Sequence, residues 1–116
     1  MATEKDLSLV GYILKLTQEG KLKWEATARP NEFTASLKGK YNVVIERVGF
    51  SRGVRFENDP DYSFKLIDNS EQELLQLTES DYIHTPLLFD LARRSVLNVD
   101  AVIDDILSDD KDKLPF

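Results

Sequence analysis

The chain contains no cysteine and a single histidine, His84. The first absence excludes disulfides, thiolate nucleophiles, iron–sulfur clusters and the usual structural zinc sites. The second leaves little for acid–base work. His84 stands in a turn between Ile83 and Thr85, and no Ser or Asp pattern ties it to a triad. Apolar runs are short as well: "GYIL" and "YNVVI" fall far below the ~20 residues that a membrane helix needs. No glycine-rich phosphate loop occurs, because "GFSRG" is followed by neither a lysine nor a helix pattern. Asp104 and Asp105 are adjacent on a helical pattern and point about 100° apart, the wrong disposition for two carboxylates sharing one substrate. The tail "DDKDK" lacks the oxygen spacing and central glycine of a calcium loop. No catalytic, cofactor-binding or metal-binding residues are therefore expected.

Positive charge is also in deficit. The formal net charge of -6 argues against a general nucleic-acid binder, whose affinity comes from lysines and arginines displacing counterions along phosphates. The imbalance is local. Between Lys38 and Arg55, the basic side chains of Lys38, Lys40, Arg47, Arg52 and Arg55 meet Glu46 alone. Between Glu57 and Asp81, Glu57, Asp59, Asp61, Asp68, Glu71, Glu73, Glu79 and Asp81 meet only Lys65. Such polarity orients a charged partner without specifying a chemistry.

What is present reads as one α+β domain. With 116 residues, 41% apolar, the chain is long enough to bury roughly two thirds of its unfolded surface in one core. Thr3 and Asp6 form a capping box ahead of Leu7, Leu9, Val10, Ile13, Leu14 and Leu16, and Gly20 supplies a C-terminal stop. The period then changes to two. "KLKWEATA" places Leu22, Trp24, Ala26 and Ala28 on one face, with Trp24 expected in the core, and "FTASL" alternates Phe33, Ala35 and Leu37. After the "KGK" turn, Tyr41, Val43 and Ile45 are expected inward, with Val44, Glu46 and Val48 outward. "VRFE" is a possible short strand, "YSFKLID" turns Tyr62, Phe64 and Leu66 inward, and "ELLQLT" is the last strand. The connections are too short for parallel crossovers, so the strands form an antiparallel meander of four to five strands.

Thr85 and Pro86 open a C-terminal helix with the stripe Leu88, Leu91, Ala92 and Ser95. Arg93 and Arg94 fall about 130° from the middle of that stripe, one on each flank. They read as solvated side chains whose stems cover the core edge, with Asp90 as acidic partner, or else as a contact point. The apolar period continues through Val99, Val102, Ile103 and Ile106, but an unbroken helix would point Leu97 at water. A break at Asn98, acting as N-cap of a second helix with Asp100 in its first turn, is expected instead. The helix–break–helix should pack on one face of the sheet. Residues 1–108 form the single domain, and 109–116 a charged, flexible tail in which Leu114 and Phe116 are the only docking groups.

The strings "GKLKW", "FTASLKGKY" and "LFDLARRSVLNVDAVIDDIL" resemble small uncharacterised bacterial domains with a helix of the "LARRSALNVD" type, over about residues 20 to 107. The resemblance implies a bacterial, cytoplasmic protein and no activity. A cytoplasmic location also fits "MATEKDLSLV", which lacks the basic start and apolar run of a signal peptide.

The loop "RVGFSRGVRF" sets Phe50 among Arg47, Arg52 and Arg55, the composition of a contact hot spot. Together with Arg93 and Arg94, these are the candidate interaction residues. The expected function is a non-enzymatic protein–protein interaction module, a small acidic adaptor or regulatory subunit that binds another protein or itself as a homodimer. Two alternatives are an acidic inhibitor that imitates nucleic acid toward a basic partner, and an enzyme or small-ligand binder with a pocket around His84 or Tyr82.

Overall fold

Thr3 starts the first helix, α1 (Glu4–Gln18), as its spacing to Asp6 predicts: its hydroxyl accepts from the Asp6 N–H at 3.1 Å, and the Asp6 carboxylate accepts from the Thr3 N–H at 3.0 Å. The helix stops where Gly20 takes a left-handed φ of 70°. This lets the Gly20 N–H reach the Thr17 carbonyl and the Lys21 N–H reach that of Leu16, satisfying orphaned acceptors of the last turn. The computed structural model describes residues 2–48 and 61–113, with side chains described through residue 108. The possible strand "VRFE" lies outside the described residues, as do Leu114 and Phe116.

Five antiparallel strands follow: β1 (Trp24–Ala26), β2 (Glu32–Leu37), β3 (Tyr41–Arg47), β4 (Tyr62–Asp68) and β5 (Glu73–Thr78), in spatial order β1-β2-β3-β4-β5. The order is that of a meander. Lys38 and Gly39 both take positive φ, 54° and 67°, and turn β2 into β3 with the Lys40 N–H on the Leu37 carbonyl. A register shift at Leu66/Ile67 marks a bulge against β5. Two helices close the chain, α2 (Thr85–Leu97) and α3 (Val99–Lys113). The chain is thus the expected α+β fold, with α2 supplying the packing against the sheet.

The core lies between one sheet face and the two helices α1 and α2. Val10, Ile13 and Leu14 of α1 meet Trp24, Phe33, Ala35, Val43, Ile45, Phe64 and Leu77 of the sheet and Leu88, Phe89 and Ala92 of α2. Trp24 is in the core, as its position predicts. Its indole Nε1–H donates to the Thr17 hydroxyl at 3.0 Å, and that hydroxyl donates to the Ile13 carbonyl at 2.8 Å, fastening the short edge strand to α1.

Several positions differ from the alternation. Ala26 and Ala28 are exposed, because the chain leaves β1 after Ala26 and turns, the Thr27 hydroxyl accepting from the Arg29 N–H and donating to Glu32. Glu46 and Val48, on the face expected to be open, are buried, while Tyr41 at the other end of β3 is partly exposed. Glu46 stands opposite Glu32 across the ladder, a like-charge pairing that would be unfavourable unaided. Arg29 relieves it, its guanidinium lying 3.6 Å from Glu46 and 3.9 Å from Glu32. On α2 the fourth core position is Phe89 and not Ser95, which is exposed. Phe89 stacks its edge with Tyr62 at 5.5 Å and tilts on Phe33 at 5.6 Å, rotating the buried stripe toward the strands.

The indole fastening is testable. Thr17→Val keeps the shape and leaves the indole N–H without its acceptor, which is expected to cost about 1 to 3 kcal/mol in urea unfolding. Thr17→Ser should restore most of that loss.

Candidate interaction site

The paired arginines are divided by the helix that carries them. Thr85 is buried at the start of α2, its hydroxyl donating to the Tyr82 carbonyl at 2.6 Å, and Leu88, Phe89 and Ala92 face the core. This rotation sends Arg93 toward the strands and Arg94 toward the other flank. Arg93 joins Arg47, Asn31, Tyr62 and Asp90 around a cleft of about 370 Å³. The Arg47 guanidinium lies 5.8 Å from the Tyr62 ring centroid, within cation–π range. The Arg47 N–H donates to the carbonyl of Asn31, which holds a left-handed φ of 57°. Arg47 and Arg93, distant in sequence, are therefore brought together.

Arg94 belongs elsewhere. Its Nη2 is 2.8 Å from Asp100 Oδ1, so its acidic partner is Asp100 and not Asp90. Asn98 explains the exchange. It does not cap α3 through its side chain; it ends α2 in the left-handed conformation, φ 54° and ψ 44°, donating its N–H to the Arg94 and Ser95 carbonyls. Asparagine tolerates this region better than most residues. The break is where the sequence predicts it, but Leu97 remains half exposed. Phe50, Arg52 and Arg55 lie outside the described residues.

His84 is exposed at the entry to α2, makes no side-chain capping bond, and sits edge-on to Tyr82 at 5.5 Å. Among the described residues no three His, Asp or Glu side chains gather as a metal site, and no helix is long and apolar enough to cross a membrane.

Among the described residues, the largest group of exposed apolar side chains on one element is on α3. Val102 is 53% exposed, Ile103 41%, Ile106 55% and Leu107 51%. With the half-buried Val99 they form a stripe at helical spacing, which Asp104 and Asp105 flank on its two sides. The spacing was legible in the sequence. That no described residue covers it was not, because periodicity identifies an apolar face without identifying its partner.

No protein-family model, curated protein or solved structure matches the chain.

Arg93 and Arg94 are clean probes of contact, since neither anchors the core. Arg93→Ala and Arg94→Ala are each expected to change the unfolding free energy by less than about 0.5 kcal/mol in urea titrations.

Proposed function

We propose that the chain is a non-enzymatic protein–protein interaction module, a small adaptor or regulatory subunit, whose contact surface is α3. The observation that carries this reading is the exposed stripe of Val102, Ile103, Ile106 and Leu107. A helix of this length gains most of its stability from burying an apolar face, and here that face is left to water. These side chains are already about half buried, so moving each the rest of the way out of water contributes about 1 kcal/mol, and a grooved partner is favoured. Spacing of i, i+3, i+4 and i+7 through Val99, Val102, Ile103 and Ile106 is the pattern by which an amphipathic helix is read by a groove. Arg93 and Arg47, at the cleft on the strand side of α2, are a secondary contact.

The test compares wild type with Ile103→Gln/Ile106→Gln, which removes the apolar stripe while keeping good helix formers. Both are subjected to affinity capture from lysate and to sedimentation. The variant is expected to retain the wild-type circular dichroism and unfolding midpoint and to lose association. Association equal to wild type would overturn the reading. Binding only to basic proteins, abolished by moderate salt and insensitive to the double substitution, would favour the acidic-mimic alternative.

A further inference from the structure

We propose that the partner of α3 is a second copy of this chain, and that α3 of each copy lies in an apolar groove on the other, forming a closed homodimer. This rests on the reading of α3 as the contact surface. The groove runs along the outer side of α1. Leu9, Tyr12 and Leu16 form one wall, the end of the β2–β3 hairpin the other, and Lys21 and Lys38 stand among its lining residues, around a volume of about 520 Å³. Tyr12 is 56% exposed there.

Length, hydropathy and charge all match. Leu9 to Leu16 spans about two turns of α1, ~10 Å, and so does the stripe from Val99 to Ile106. The stripe has carboxylates on both flanks, Asp104 and Asp105, while the groove is lined by lysines and by no carboxylate. Lys21 is shared with Glu19 at 3.2 Å, but that pair is solvent-exposed and readily rearranged. Two α3 helices packed on each other would instead set Asp104 and Asp105 against carboxylates of the same kind. Closure within one chain is opposed by the connection. Asn98 shares a depression with Thr17 and Gly20, on the other flank of α1 from Tyr12. The left-handed turn at Asn98 and the Val102 N–H on the Asn98 carbonyl then set the direction in which α3 leaves. Because each copy carries both helix and groove, reciprocal exchange satisfies both at once under two-fold symmetry, whereas one-way docking would leave an open chain of copies. The second contact then forms intramolecularly, at high effective concentration.

Sedimentation equilibrium of the full chain tests this. Wild type is expected at twice 13.3 kDa, and Ile103→Gln/Ile106→Gln and Tyr12→Glu each as monomers. An equimolar mixture of those two variants should recover a weaker dimer, since one intact helix and one intact groove remain. The absence of native cysteine permits a direct check. Tyr12→Cys chains mixed with Ile106→Cys chains under oxidised glutathione should cross-link to each other several-fold faster than either does to itself. A monomeric wild type, or faster self-linking of Ile106→Cys, would overturn the proposal. If the wild type is monomeric but Ile103→Gln/Ile106→Gln abolishes capture of another protein, α3 remains the contact surface and only the second copy is rejected. If the wild type dimerises and that variant does so equally, both readings fall.

Discussion

An antiparallel sheet with one apolar side must have that side covered, and the arrangement of this chain follows from how the cover is supplied. The meander places Phe33, Val43, Ile45, Phe64 and Leu77 on a common face, wider than one helix. Two helices are needed, and they come from either side of the strands in sequence. α1 is fastened to the first strand through the Trp24 indole and Thr17, and α2 is seated by Phe89 among the rings of Tyr62 and Phe33. With Leu88 and Ala92 also buried, the two helices occupy the face. Residues 101–108 of the third helix stay exposed, apolar side chains included.

Most of this architecture is legible in the sequence because it is local. Thr3 and Asp6, Gly20, the Lys38–Gly39 turn and the change of period after Gly20 each act through neighbouring backbone, and each is found where the residues predict it. What escapes is set by contacts across the fold. Alternation assigns Glu46 and Val48 to the outer face correctly but cannot report that this face is buried there, or that Arg29 lies between two opposed carboxylates. The stripe of α2 is displaced from Ser95 to Phe89 by aromatic rings on β2 and β4, a preference no helical wheel contains. Asn98 presents two properties in one residue, a side chain suited to an N-cap and a backbone suited to a left-handed turn, and the second prevails.

The candidate site divides along the same line. That Arg93 and Arg94 flank the core is a matter of helical spacing. That Arg93 meets Arg47 at one cleft while Arg94 meets Asp100 beyond a break depends on strand register and on a single backbone conformation. The consequence is that "RR" is two separate surface features joined only by their position in the chain. The apolar face of α3 shows the same division, with its spacing written in the residues and its exposure decided by how much sheet is left to cover.

The strictly sequential order of the strands bears on how the molecule is made. Every strand after the first pairs with the one before it, so the ladder is able to assemble progressively as the chain leaves the ribosome. The apolar face has no such convenience. It is completed only by Leu88, Phe89 and Ala92, so closure of the core depends on residues that follow every strand in the chain.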